Sequence, residues 1–519
     1  MTTGNTPTSG AMMSTTASTS PSSGPDDGTA SESGSSGDTE GTTAGAEAPT
    51  VVEFTVNGDE RPEAVEAAQA LQLRVVAEDD GDVVSATFSH GGDVVAVGEP
   101  VGDGAFEVEW VVSGAEFNTM DPLQVVVVDD DGLEGTASVQ LDVEMPNGGL
   151  IEEWTFDSGV IATAYGISPD PEGEEVVWVG QRTLGDQSSN ARFARADGGW
   201  VDTIADDSEF ASDVVRDGQD LVSAISLGFG VNRTTAIRFF DSQGNEGSTV
   251  ELEGAPGPST ANHPVALERD AVGRLYVLSV YTSGNPPQGS YLMRLSANGA
   301  IDWERDLTGW SRADGSAFVH DFDVSPEGRI ALAGTSGNQG WIGVLDSDGG
   351  LEEQLVVGDF SQSVIYDIAW SGESDVVAVG ATNDGDGWTR WARAYSDELL
   401  PGWEDTAAPT GAFTQAVGTD HLGRVVTLSA EACELNTDSF AFEECRLVVR
   451  KYSPDGILLW QEQPEGGNRE FNGPVLLLPG FKPDVEFDRF GYIYFSALHE
   501  FQAADGSARS EWWMQKHHP

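Results

Sequence analysis

One unit recurs seven times after residue 170, a Gly-bearing turn followed by an alternating apolar strand. It reads EGEEVVWVG (172 to 180), DGQDLVSAIS (217 to 226), VGRLYVLS (272 to 279), EGRIALAG (327 to 334), GESDVVAVG (372 to 380), LGRVVTLS (422 to 429) and RFGYIYFS (489 to 496). The spacing, roughly 45 to 67 residues, is that of repeated blades or arrays. Arg274-Leu275-Tyr276-Val277-Leu278 shows the period of two that a half-buried strand requires, and no helical period persists anywhere. A chain of this kind is all-β, and closing the repeats into a ring removes open sheet edges.

Each repeat has a second landmark, a turn leading to an outermost strand. Four of these carry tryptophan, at Trp200, Trp303, Trp403 and Trp460, while SQGNEGSTVEL and SDGGLEEQLVV keep the turn and lose the ring. The last repeat ends at EWWMQKHHP, one strand short, and NGGLIEEWTFD (147 to 157) offers the same turn with Trp154 in the same place. The expected architecture is therefore a seven-bladed β-propeller over 147–519, closed by an N-terminal strand. The tryptophans read as packing between adjacent sheets near the rim.

Residues 50–146 read as a separate β-sandwich. Its expected strands are 51–56, 71–78, 82–89, 93–98, 105–113, 123–130 and 136–144, seven short runs bounded by turns, as in an immunoglobulin-like fold. Residues 1–49 are almost entirely Thr, Ser, Gly, Ala, Pro, Asp and Glu, a composition that buries too little surface to order itself and reads as a disordered tether.

With D/N-G-x-x-x-W outer strands and GRLYVLS-type strands within, residues 148–519 resemble bacterial propellers with quinoprotein-like, delta-60-like repeats, a group with secreted and lipoprotein members. The ending VVVVDDDGLEGTASVQLDV is similar to the last hairpin of bacterial Ig-like, PKD-like or cadherin-like extracellular repeats, which act as spacers or adhesive units. The Thr/Ser/Gly tract resembles the tether of bacterial surface lipoproteins. Together these resemblances imply an extracellular or cell-envelope address, with a lipid anchor only if a signal lies upstream of this chain. No run of about 18 apolar residues is present, so no transmembrane segment is expected.

Charge narrows the partners. Lys and Arg number 25 against 87 Asp and Glu, a net charge of -62, which repels nucleic acid and anionic membranes. Such an excess keeps an exported protein soluble and also suits cationic ligands, divalent metals such as calcium, or a salty medium. The acidic loops Asp79-Asp80-Gly81-Asp82 and Asp129-Asp130-Asp131-Gly132 are the candidate calcium loops, although Asp-Gly is equally an ordinary turn former. The segment NDGDG (383 to 387) lacks acids at its flanks, where Ala381 and Arg390 stand. The two cysteines, Cys433 and Cys445, flank one loop of the sixth repeat and are expected to form a disulfide in an oxidising compartment.

Aligning the innermost strands on their turns puts Asp321, Asp367 and Asp484 in one column, with Asp213 joining if its turn is one residue shorter. Gly166, Ala266 and Ala416 hold the same place in the other repeats. Innermost strands line the axis, so these carboxylates are candidates for a cation or ligand at one mouth of the channel, with His320 and Tyr366 beside them. The alternative is that each Asp accepts backbone amides of the neighbouring blade. His263 and His421 lie nearby without metal-ligand spacing.

The chain contains no G-x-S-x-G, no H-E-x-x-H and no G-x-x-x-x-G-K. The function expected is an exported surface protein that presents a propeller for protein or glycan recognition, without catalysis. The alternative is an extracytoplasmic propeller enzyme, a lyase, lactonase or quinoprotein-like oxidoreductase, with a metal near the central channel.

Overall fold

The structure is a computed structural model and describes residues 48–59, 65–66, 70–90, 93–102, 104–112, 122–141, 143–144, 148–157, 162–170, 175–184, 187–190, 193–194, 200–201, 210–217, 220–227, 233–242, 245–252, 261–282, 289–308, 310, 317–358, 360–372, 374–385, 387–406, 411–420, 422–436, 441–443, 445–464, 483–488, 491–502 and 508–519. The expected tether therefore lies almost wholly outside the described residues. Among those described, every regular element is a strand.

Residues 50–139 build two four-stranded antiparallel sheets. In the first, Glu99–Gly102 pairs with Ala105–Val111, which pairs with Ala70–Glu78, and Thr50–Val56 closes the other side. In the second the order is Asp93–Val97, Val83–His90, Leu123–Asp129 and Glu134–Val139. Their apolar faces close on one core, because strict alternation sends Leu71, Leu73 and Val75 inward from one sheet and Phe88, Val125 and Val127 from the other. Phe54 and Phe88 meet across it at 5.7 Å between ring centroids. The sequence reading found seven of these strands and missed Glu99–Gly102, a four-residue edge strand exposed throughout.

Among the described residues of 150–517 lie seven further antiparallel sheets, six of four strands and the first with a fifth, in the arrangement of a β-propeller, together with one two-stranded hairpin. The first strands are Ala162–Pro169, Phe210–Asp217, Ala261–Arg269, Ala317–Val324, Gln362–Ser371, Phe413–Thr419 and Asp484–Phe487. Each packs beside the first strand of the next sheet, and that of the last sheet packs beside that of the first. The last sheet takes its outermost strand from upstream, since Leu150–Asp157 pairs antiparallel with Ala508–His517 in a register that sets Trp154 opposite Met514. Second strands such as Ile330–Ser336 and Asp375–Asn383 are buried along nearly their whole length, which is why the repeat reads as near-continuous apolar runs.

Side-chain caps hold the turns. Asp270 Oδ1 accepts the amides of Arg274 (2.8 Å) and Val272, Asp420 Oδ1 those of Arg424 (2.9 Å) and Leu422, and Asp488 Oδ1 that of Tyr492 (3.0 Å). The second oxygen reaches a side chain in or just before the second strand: Tyr276 in one sheet, Arg424 in another, Tyr494 in a third. Ser325 Oγ performs the first of these tasks for Arg329.

The outer turns explain the D/N-G-x-x-x-W pattern. At Gly456 (φ 80°) a Cβ would lie 2.3 Å from Trp403 Cγ, a ring of the preceding sheet, and at Gly148 (φ 61°) it would lie 2.5 Å from Trp460 Cε2. Glycine is required twice over at each point, by the left-handed backbone and by the indole lying against it. The turn at Gly148, which opens the strand Leu150–Asp157, is thus seated against the sixth sheet as the other outer turns are against theirs.

Candidate functional site

Three of the four acids in the column, Asp213, Asp321 and Asp367, fall on one structural feature. The first strand carries a β-bulge, and hence a register shift, between Ala164 and Gly166, Ala211 and Asp213, Pro264 and Ala266, Val319 and Asp321, Ile365 and Asp367, and Thr414 and Ala416. A bulge frees backbone amides from the ladder, and a carboxylate at that place satisfies them. Asp367 Oδ1 accepts from its neighbour Ile368 (2.8 Å) and Oδ2 from Val417 of the next sheet (2.8 Å). Asp213 does the same for Val214 (2.8 Å) and Leu267 (2.7 Å). Asp484 Oδ2 accepts from Ile167, joining the last sheet to the first at 2.9 Å. Three of the four column acids are thus inter-sheet staples; the fourth, Asp321, is buried at the same register and lines the cavity described next.

Two residues further along, the first strand again faces the axis, and there the sequence reading had named nothing. That row holds Glu268, Asp323 and Glu486, and with Asp321, Asp367 and Asp484 these acids line a cavity of about 150 Å³. No Lys, Arg or His is among its lining residues. Asp323 serves as a staple too, accepting the amides of Val324 (2.6 Å) and of Trp370 in the next sheet (2.6 Å). Glu268 differs. Among the described residues it has no hydrogen-bond or ion-pair partner, and burial together with the carboxylates of Asp323, Glu486, Asp213 and Asp321 pushes its pKa well above the carboxylate range. It is half-buried by surface area yet lies deep in the molecule, because the surface it keeps borders the cavity. A period of two from the column was the available signal, and aligning that second row as well would have exposed it.

The remaining candidates are placed as follows. His320, the extra residue of its bulge, turns its Nε2 to Thr335 Oγ1 at 3.3 Å and packs edge-on against Phe318, and burial lowers its pKa to about 3. Tyr366 occupies the same place in the next sheet, with burial raising its pKa. His263 Nδ1 lies 3.4 Å from Arg233, its pKa lowered to about 4 by burial first and by that guanidinium second. His421 lies outside the described residues.

The two acidic loops of the N-terminal sheets do lie together, and they bond to each other. Asp130 N donates to Asp82 O at 2.9 Å, Asp82 N to Asp130 Oδ1 at 3.4 Å, Gly81 N to Asp79 Oδ2 at 3.1 Å and Leu133 N to Asp129 Oδ1 at 2.7 Å. Asp129 is buried, while Asp80, Asp82, Asp130 and Asp131 are exposed. Among the described residues no group of three or more His, Cys, Asp or Glu converges to hold a metal ion.

Cys433 and Cys445 form a disulfide, both buried. It closes a hairpin of Glu434–Asn436 and Ala441–Glu443, inserted between the second and third strands of the sixth sheet. The bridge fits an oxidising environment, and no helix among the described residues is long and apolar enough to cross a membrane.

No protein-family model matches the sequence, and no curated protein does. Among solved structures, the chain is similar to a quinonprotein alcohol dehydrogenase-like protein from Bacteroides thetaiotaomicron, at 12% identity and a TM-score of 0.35, covering 79% of this chain and 96% of that one. It is similar also to Sqt1 from Chaetomium thermophilum, at 11% identity and a TM-score of 0.41, covering 71% and 90%. At such scores the likeness adds nothing to the propeller argued from the sheets themselves.

Proposed function

We propose that the chain is an exported surface protein whose propeller presents loops to a protein or glycan. In this reading residues 147–519 are a seven-bladed ring closed by Leu150–Asp157, residues 50–146 an Ig-like spacer, and residues 1–49 a tether to the envelope. The observation that carries it is the disulfide-closed hairpin at Cys433–Cys445. Its sheet is complete without it, so the insertion adds nothing to the ladder, and a covalent clasp on a loop lowers the entropy lost when that loop binds. The column acids support the same reading, because Asp213, Asp367 and Asp484 are committed to backbone amides rather than to chemistry.

The test has two parts. Cell fractionation with protease shaving should find the protein on the envelope surface, and a strictly cytosolic location would end the proposal. A pull-down from envelope extract and a glycan array should yield a ligand that is lost when residues 434–443 are replaced by a short Gly-Ser linker.

A second reading, an extracytoplasmic propeller enzyme, is favoured by the acid-lined cavity. A carboxyl such as Glu268, kept protonated by its neighbours, can donate a proton to a leaving oxygen. Turnover of a lactone or uronide substrate that disappears in Glu268→Gln would support this reading.

A further inference from the structure

We propose that a small monovalent anion of the chloride type binds in the sixth sheet, where Lys451 of the third strand and Arg424, just before the second, approach the turn carboxylate of Asp420.

All three residues are buried, with Asp420 3%, Arg424 8% and Lys451 1% exposed. Asp420 is fully engaged without the lysine: Oδ1 accepts the amides of Arg424 and Leu422, and Oδ2 accepts Arg424 Nε at 2.6 Å. Lys451 Nζ stands 3.7 Å from that same Oδ2, near enough for attraction and too far for a hydrogen bond. Lys451 Nζ and Arg424 Nη2 are both buried atoms, and neither finds a hydrogen-bond acceptor among the described residues. Ammonium and guanidinium groups only donate. Two cations therefore share one carboxylate, leaving a positive charge uncompensated and two donor groups unmet in the interior, an arrangement that an ion or an ordered water must complete.

Two sister sheets show how the same place is filled elsewhere. The register sets Tyr276 opposite Arg294 in the third sheet, Tyr494 opposite Lys516 in the seventh and Val426 opposite Lys451 in the sixth. Tyr276 donates its hydroxyl to Asp270 and Tyr494 to Asp488, each at 3.1 Å. Their basic partners are provided for as well, since Arg294 pairs with Asp302 and Asp348 while Lys516 Nζ lies 4.2 Å from the Tyr492 ring centroid. In the sixth sheet valine ends short of the turn carboxylate by the length of a phenol, and Lys451 has neither an acid of its own nor a ring beneath it.

The donors and the charge select the ligand. An anion accepts from both cations and supplies the missing negative charge, whereas a water must find acceptors for its own two protons and leaves the charge as it was. Space of the order of one phenol group suits a monatomic ion rather than sulfate or phosphate. Burial first and Arg424 second lower the pKa of Lys451 to about 7, against the attraction of Asp420. A bound anion removes that penalty on the ammonium form.

The experiment uses the full chain in two measurements. Crystals of wild type soaked in sodium bromide should show an anomalous peak within hydrogen-bond distance of Lys451 Nζ and Arg424 Nη2. In solution, at about pH 6, where Lys451 keeps its proton, sodium chloride replaces sodium gluconate at constant ionic strength so that screening stays the same. Chloride at about ten times its Kd should shift the unfolding equilibrium about tenfold toward the folded chain. Lys451→Met exchanges the buried charge for an apolar chain of similar length, so it should unfold cooperatively, lose the bromide peak and lose most of the chloride dependence. Density without an anomalous signal would mean a water and overturn the proposal. A bromide peak with no chloride dependence in wild type would mean an adventitious ion only and overturn it equally, as would a dependence that Lys451→Met retains in full. Should that variant fail to fold, the two wild-type measurements decide: peak and dependence together support the site, and the lack of either ends it.

Discussion

Asp484 and Ile167 stand 317 residues apart in sequence, and the Asp484 carboxylate accepts the Ile167 amide proton at 2.9 Å. The same bond links Asp213 to Leu267 and Asp367 to Val417, each time from the bulge of one sheet to the residue after the bulge position in the next. The last sheet is therefore stapled to the first by the device that joins neighbouring sheets elsewhere. Replacing Asp367 by Ala leaves two buried amides without acceptors, each worth about 1–3 kcal/mol. We expect Asp367→Ala to lose about 2–4 kcal/mol in urea unfolding, and Asp367→Asn, which retains one acceptor, to lose roughly half as much.

The strand Leu150–Asp157 is the second fastening of that join. Without it, Ala508–His517 would present an open edge of unpaired amides and carbonyls. A chain beginning at residue 158 should oligomerise or aggregate in size-exclusion chromatography and melt well below a chain beginning at residue 147. Equal behaviour of the two would show that the staples alone hold the ring.

The outer turns yield a prediction at one atom pair. A Cβ at residue 456 would meet Trp403 Cγ at 2.3 Å and would sit on a left-handed backbone. Gly456→Ala should cost about 2–4 kcal/mol from overlap and backbone strain together, read as a lowered Tm. Leu399 shows why the rule is local. It holds the same turn position in the fifth sheet at φ 55°, and the outer strand facing it carries Glu353 where a tryptophan would stand. The Leu399 side chain is buried in the core shared with Trp391 and Tyr395.

The Cys433–Cys445 bridge closes a loop with a sequence separation of 12. Loop-closure entropy for such a length stabilises the fold by about 3 kcal/mol. Reduction by dithiothreitol should lower the free energy of unfolding, extrapolated from urea titration, by that amount if the sixth sheet unfolds with the rest. A smaller change would mark the hairpin as an independently opening unit.

The scaffold was legible because each sheet restates one local pattern, and seven restatements average out the irregularities of any one. Trp154 could be assigned to the last sheet since its turn, NGG, matched the other outer turns. The acid column was legible as a column, but its role was not. Whether Asp367 meets an ion or the Val417 amide depends on a bulge of one residue, and one extra residue leaves no mark in a pattern of period two. Glu268 escaped for a related reason. It stands alone in its repeat, between Ala266 at the column and the Asp270 cap, and becomes conspicuous only when Asp323 and Glu486 from other sheets arrive beside it. The edge strand Glu99–Gly102 was missed because a Pro and two exposed Gly-flanked positions read as loop, and an exposed edge tolerates them.

Glu268 gives the last prediction, and its sign is opposite to that of a salt-bridged carboxylate. Burial and four neighbouring acids raise its pKa in the folded state above the ordinary 4.5, so the native chain binds that proton more tightly than the unfolded chain does. Its contribution to stability is then fully present below pH 4.5 and is lost as pH rises through the folded value. Glutamine keeps the shape and the neutral state at every pH. In EDTA, Glu268→Gln should match wild type near pH 4.5 and exceed it increasingly toward neutral pH and above, measured as the difference in Tm across the series. A constant difference at all pH values would mean that Glu268 ionises freely in the folded chain, and the crowding of carboxylates around the axis would then be relieved by something other than its proton.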